Sequence, residues 1–489
     1  RGRLSRRGRA ATTGAALLLC VLGYFGVYRS STLYDRFAVA PGRSAWSAND
    51  QFQSRGGIYP FLHSIRAAVP KAPDGYDKRE AEALLAEYED DDIPEDKKVH
   101  VVMTMLEAFC DFSDLTDAIT GNDPYADYHA LQAESYTGQL FTNIFAGGTI
   151  NTERCALTGF SKLPNFRRPS WSYARYFADQ GYTCTGAHPG NEGFYSRSSV
   201  NRNLGLDDYW FAENHFSALC DGIAMDDVFS EIAARTESQS AAGDWVFSFN
   251  VTYQNHGPYF DDHLTGETEY VPKTGLSDSD YYIVNNYLSG VADTGARMRA
   301  LCETFRDSEE PVVFFADHKP WLGENSVTYA ALGIDLAAPG ETGAAATYLT
   351  DYLIWANDAA KARLGKKFRG EGPTVSPCFL MNVLFEQCGW GSGSAYMQLT
   401  GEVMEQIPVI NTDGFYVENG QVTTALSDTA QELFSRLEIA QFYTDAFFED
   451  CRKLNIKRPD VVQPATGLID DYIKIITKLL DTGYAYLAG

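Results

Sequence analysis

Basic residues are scarce. The 489-residue chain has 40 Lys and Arg against 65 Asp and Glu, a formal net charge of -25. A chain this acidic lacks the basic footprint that non-specific nucleic-acid binding needs, so nucleic acid is excluded as a partner class. An anionic substrate would need a local positive patch or a metal. The nine cysteines contain no C-x-x-C pair and no zinc-ribbon spacing, so neither motif is encoded. A few disulfides remain open, with one odd thiol. Internal repeats and low-complexity tracts are also missing. What is left is a globular composition, 45% hydrophobic and 21% charged, long enough for one large α/β domain plus additions.

One run near the start departs from that composition. Residues 1 to 9 carry five arginines, and Ala10 to Tyr28 then carry no charge around a Leu-Leu-Leu-Cys-Val-Leu centre. A basic flank before an uncharged run of this length predicts a transmembrane helix with its start in the cytoplasm. A signal peptide is the competing reading, but no small-x-small cleavage site follows closely. The first residue is Arg, so the expectation is a sequence that begins inside a longer protein. Residues 1–29 are thus read as cytoplasmic flank and membrane helix, and 30–98 as a linker region closed by the acidic Glu89-Asp-Asp-Asp-Ile-Pro. Residues 99–440 are read as an extracellular catalytic domain on a membrane-anchored protein.

Within that domain the chain is organised around Pro311-Val-Val-Phe-Phe-Ala-Asp317-His318. Val312 to Phe315 predict a buried strand of a parallel sheet. Three similar runs end in the same way. Val99 to Leu106 ends on Glu107, Gly181 to Ala187 on His188, and Trp245 to Val251 is followed by His256. Helical stretches such as Tyr281 to Phe305 alternate with them, which predicts a mostly parallel sheet flanked by helices. In such sheets ligands bind outside the carboxyl ends of the strands. Gly147-Gly148-Thr149 adds a tight turn that exposes a hydroxyl.

Glu107, Thr149, Asp317 and His318 are therefore the candidate metal ligands. Three oxygens and one nitrogen suit Mn²⁺ or Mg²⁺, and Zn²⁺ also fits. A metal there would lower the hydroxyl pKa and make Thr149 a nucleophile. His256 would hold or protonate a leaving group, and Arg197 would pair with a phosphate oxygen. Each residue also has an ordinary reading. Thr149 and Glu107 could cap helices, His188 and His256 could be loop residues, and Arg197 could form a plain salt bridge.

These stretches resemble the extracellular domain of lipoteichoic acid synthases and related phosphoglycerol transferases. The matching runs are Val101 to Phe109, Gly147 to Glu153, His188 through Arg197, Asn255 to Tyr259, Ala316 to Glu324 and Tyr352 to Asn357. That family has the sulfatase-like fold of the alkaline phosphatase superfamily. The resemblance implies Mn²⁺ held by Glu107, Thr149, Asp317 and His318, with Thr149 as nucleophile. It also implies that His188, Tyr195, Arg197 and His256 bind the glycerol-phosphate headgroup. The implied partners are phosphatidylglycerol and a growing glycerol-phosphate polymer at the membrane, and no protein partner is inferred. Two departures concern the headgroup site: some members have Trp at the place of Tyr195, and some have a carboxylate at that of Gly190.

Three alternatives stay open: a hydrolase of the same fold, a phosphoethanolamine transferase, and a non-catalytic envelope protein. No cysteine lies in the Cys/Ser-x-Pro-x-Arg context that a sulfatase nucleophile needs. Residues 441–489 are a separate matter. Phe442 to Asp460 and Ala465 to Tyr486 resemble an early piece of cysteinyl-tRNA synthetase, without that enzyme's His-Ile-Gly-His or Lys-Met-Ser-Lys-Ser signatures. Ile469 to Leu480 predicts an amphipathic helix.

Overall fold

Eight strands form the central sheet: β1 (Val101–Leu106), β2 (Tyr136–Phe141), β3 (Tyr182–Ala187), β4 (Asp208–Trp210), β5 (Trp245–Val251), β6 (Pro311–Ala316), β7 (Leu349–Ala356) and β8 (Gly370–Glu371). Their order is β4-β3-β5-β1-β6-β7-β2-β8. The structure is a computed structural model that describes residues 5–37, 48–67, 71–216, 225–307, 311–453 and 478. β4, β3, β5, β1 and β6 run parallel, β7 is antiparallel to both β6 and β2, and β8 is parallel to β2. The antiparallel β7 was not anticipated from the sequence.

Both faces of the sheet are covered, which is why the central strands read as unbroken apolar runs. On β1, Val101, Met103 and Met105 enter one core and Val102 and Leu106 the other. On β6, Val313 and Phe315 go one way and Val312, Phe314 and Ala316 the other. This is the period-two alternation of a strand with two apolar faces. The second face is covered in large part by the helix Asp278–Thr304, whose Val284, Leu288, Val291 and Met298 are fully buried.

Register then fixes where the chemistry sits. Ala187 pairs with Asn250, Val251 with Met105, and Leu106 with Ala316. The residues that follow, His188, Thr252, Glu107 and Asp317, therefore leave the sheet along one edge.

The N-terminal run is helical from Arg6 to Tyr28, ending in a wider turn over Tyr24–Tyr28. It is long and apolar enough to cross a membrane, and Leu17, Leu18, Leu19, Leu22 and Phe25 are exposed. A small cluster closes its end: His63 stacks on Tyr34 at 3.9 Å and its Nδ1 lies 2.8 Å from the Tyr28 carbonyl.

The acidic stretch read as a boundary is docked on the domain. Asp91 N–H donates to the Gly393 carbonyl at 2.9 Å, and Asp90 Oδ1 accepts from Ala395 N–H at 2.8 Å. Its Ile93 is buried. The boundary drawn at residue 440 falls inside one helix, Asp428–Lys453. Ala430, Leu433, Leu437 and Ala440 of that helix belong to the main core, and Arg168 pairs with Asp445 at 3.3 Å. The helix expected over Ile469 to Leu480 lies, apart from Lys478, outside the described residues. Cys20, Cys110, Cys155, Cys184, Cys302, Cys378 and Cys388 are free thiols.

Candidate active site

Thr149 stands at the start of the helix Ile150–Thr158, after Gly147 and Gly148 with φ of 140° and 88°. Those angles are open to glycine and strained for other residues. Thr149 occupies the N-cap position, yet its side chain makes no capping hydrogen bond. Its Oγ1 instead donates to Glu107 Oε2 at 3.2 Å and lies 3.5 Å from His318 Nε2. The N-cap explanation of this threonine fails on that geometry.

The other three candidate ligands close around it. Ligand atoms of Glu107, Asp317 and His318 all lie within 4.8 Å of one another, and all three residues are buried. Asp317 Oδ1 accepts from the backbone N–H groups of Ala108 at 2.8 Å and His318 at 2.7 Å. Its Oδ2 is buried without a hydrogen-bond partner. An orphaned carboxylate oxygen in a dry site is costly unless something absent from the protein satisfies it. His318 Nδ1 lies 2.9 Å from the Lys319 carbonyl. A carbonyl only accepts, so the ring proton is on Nδ1 and Nε2 offers its lone pair. That lone pair lies 3.6 Å from Glu107 Oε1 and 3.2 Å from Asp317 Oδ2. Burial, and then the neighbouring Asp317 charge, push the Glu107 carboxyl well above its usual range. Two buried carboxylates facing each other call for a cation. The donor set thus fits a hard or borderline divalent metal.

Glu107, Thr149 and His318 form the floor of a cleft of about 710 Å³, whose walls include Tyr195, His256, Tyr259, Phe260 and Trp321. Half-burial, and then the Glu107 charge, raise the Tyr195 phenol to about 12, so it is a hydrogen-bond donor at neutral pH. Its backbone sits in the left-handed region at φ 55°, a strained place for a tyrosine. Arg154 braces it through Nη2 to the Tyr195 carbonyl at 2.9 Å. The exposed His256 ring stacks on Tyr253 at 4.9 Å with planes 3° apart, and its Nδ1 lies 2.6 Å from the Gly257 carbonyl.

Two expected headgroup contacts are placed differently. Arg197 is 1% exposed and gives Nη2 and Nε to Glu153 Oε2 at 2.7 and 3.1 Å. Its guanidinium serves a buried pair and is not among the residues that line the cleft. Glu153 lies one helical turn after Thr149, on the buried side of the helix Ile150–Thr158. His188 is also buried and behind the lining. Its Nδ1 lies 3.1 Å from the Val251 carbonyl. Burial, and then Arg197, hold its pKa well below the usual value, so the ring is neutral. A Cβ at Gly190 would fall against His188 Nε2. A side chain at this position has no room while this ring stays in place.

The sulfatase family profile matches residues 100–382, more than half of the chain. The chain belongs to the sulfatase family. A candidate cyclic beta-1,2-glucan modification protein of Rhizobium meliloti (strain 1021) is 27% identical over 437 residues, which cover 86% of this chain and 66% of that protein. The chain therefore spans just under two thirds of that relative's length. Among solved structures, the Streptococcus pyogenes phosphoglycerol transferase GacH, in complex with sn-glycerol-1-phosphate, superposes with a TM-score of 0.59 at 18% identity, covering 79% of this chain and 98% of that one. The lipoteichoic acid synthase LtaP from Listeria monocytogenes gives 0.53 at 14% identity, covering 76% and 98%. At those identities the likeness establishes the fold. The C-terminal residues 411–489 match the catalytic domain of class I (C) tRNA synthetases. Cysteine–tRNA ligase of Treponema denticola is 49% identical over 55 residues, 11% of each chain.

Sequence reasoning missed Thr252, whose Oγ1 accepts from Glu107 N–H at 3.0 Å, and the aromatic mouth formed with Phe260 and Trp321. A hydroxyl directly after β5 was the available signal for the first.

Proposed function

We propose that this protein is a membrane-anchored, metal-dependent transferase that moves glycerol phosphate from phosphatidylglycerol to an acceptor hydroxyl through a phosphothreonine at Thr149. The observation that supports this reading is the uncapped Thr149 hydroxyl, held 3.2 Å from Glu107 on the floor of an open cleft. In the first step Thr149 Oγ bonds to phosphorus as the bond from phosphorus to the diacylglycerol oxygen breaks. His256 gives the leaving oxygen its proton. In the second step an acceptor hydroxyl gives its proton to His256, its oxygen bonds to phosphorus, and the Thr149 ester breaks, which restores both residues. Glu107, Thr149, Asp317 and His318 would hold the metal, Mn²⁺ by preference. Bound there, it would offset charge on the phosphoryl oxygens and ease Thr149 deprotonation. Tyr195 would donate to the headgroup.

A glycerol-phosphate polymer is the acceptor that the family resemblance suggests. The name of the Rhizobium relative favours a second reading, in which the acceptor is a glucan.

The test is release of water-soluble glycerol phosphate from phosphatidylglycerol by the purified full chain. Release should require Mn²⁺, stop with a chelator and return when Mn²⁺ is restored. Release that persists in metal-stripped protein, or turnover of a sulfate ester in place of the lipid, would overturn the reading. We also propose that the catalytic domain lies outside the cytoplasm, from the arginines that precede the apolar helix. Protease added to intact cells should then cut the domain. Protection until lysis would reverse the topology.

A further inference from the structure

The mouth of the cleft has a chemistry of its own. Trp321 is 53% exposed and Phe260 57% exposed, and both line the cleft whose floor holds Thr149. Exposed carboxylates, Asp261 and Glu324, stand in the same lining. Among the described residues the lining contains no lysine or arginine. The nearby Arg197 is paired with Glu153.

This composition selects among acceptors. A polyanionic chain of glycerol phosphates would bring repeated negative charge against two carboxylates at the mouth, with no lysine or arginine in the lining to offset it. Like-charge juxtaposition of that kind disfavours a partner. A neutral sugar has the opposite fit. Its ring presents an apolar face of C–H groups to an aromatic surface, and its hydroxyls donate to carboxylates, which only accept. A mostly apolar wall with a few placed polar groups is the usual make-up of a small-ligand subsite. Acyl chains would use the aromatic rings and leave the carboxylates facing hydrocarbon, a costly arrangement.

We infer that the mouth is an acceptor subsite for a neutral oligosaccharide, stacked on Trp321 and Phe260 and hydrogen-bonded to Asp261 and Glu324. The inference rests on the transferase reading and deepens it by naming the acceptor class. A sugar hydroxyl held there gives its proton to His256 and its oxygen bonds to phosphorus while the Thr149 ester bond breaks.

The experiment is calorimetric binding to the full chain in a lipid nanodisc free of phosphatidylglycerol, with a neutral β-glucan oligosaccharide and a glycerol-phosphate oligomer as probes. The glucan should bind more tightly than the oligomer at low salt. Trp321→Ala should weaken glucan binding roughly tenfold or more, as loss of an aromatic anchor does, and Trp321→Phe should restore most of it. An unchanged melting curve is expected, because the side chain is half exposed. Equal glucan binding by Trp321→Ala, or tighter binding of the glycerol-phosphate oligomer, overturns the inference. A parallel titration with soluble short-chain phosphatidylglycerol is the control, and a Trp321→Ala protein that loses affinity only for that lipid also overturns the inference, since it would assign the rings to acyl chains. Binding needs no turnover, so failure to cleave phosphatidylglycerol would remove the transferase reading and leave this result distinct.

Discussion

Thr149→Ala is expected to abolish headgroup release from phosphatidylglycerol while leaving the protein folded. Losing an activated nucleophile costs about 10⁴-fold or more in turnover. The competing role, a helix cap, is worth only about 1 kcal/mol of stability. The structure removes even that term, because the Thr149 side chain caps nothing. The expected pair of results is therefore a large loss of rate and a nearly unchanged melting temperature. Thr149→Ser keeps the hydroxyl, so part of the rate should return. Mass spectrometry after brief exposure to phosphatidylglycerol should find a phosphoglycerol adduct on the Thr149 peptide of the wild type and none in Thr149→Ala. Near-wild-type release by Thr149→Ala with Mn²⁺ present would refute the mechanism.

The legible parts of this molecule were those whose signal is local. β1, β3, β5 and β6 stood out because strands covered on both faces leave apolar runs, and their terminal residues were found with them. β2 did not stand out. Its Tyr136-Thr-Gly-Gln-Leu-Phe is apolar only toward one end, and a Cβ at Gly138 would strike the Tyr352 ring. That close approach depends on β7, which is distant in sequence. The direction of β7 was likewise hidden, since a buried strand reads the same either way. The candidate ligands were legible as types at strand ends, but their mutual distances follow from the register of β1 against β6. The docked acidic stretch and the unbroken helix Asp428–Lys453 were illegible for the same reason. Charge suggests a solvated linker until a partner such as Gly393 or Arg168 is in place.

Arg197 carries the second large prediction, because its burial bears directly on its role. An exposed arginine beside a headgroup site would clamp phosphate, and removing Glu153 would leave it freer to do so. In the structure both side chains are buried, at 2% and 1% exposure, with Nη2 and Oε2 2.7 Å apart. Breaking such a pair from one side strands an uncompensated charge and costs about 3–5 kcal/mol. Glu153→Ala should therefore lower the melting temperature by several degrees or leave the protein unfolded. Replacing both partners with apolar residues, Glu153→Leu with Arg197→Met, should recover much of the loss, because a buried pair exchanged for packed hydrocarbon is often near neutral. The recovery separates a pair that acts on stability from an arginine that acts on substrate. If Glu153→Ala melts like the wild type while the Michaelis constant for phosphatidylglycerol falls, Arg197 is a headgroup ligand after all. If the double variant regains stability and retains headgroup release, the guanidinium acts as a brace beneath the loop that carries Tyr195.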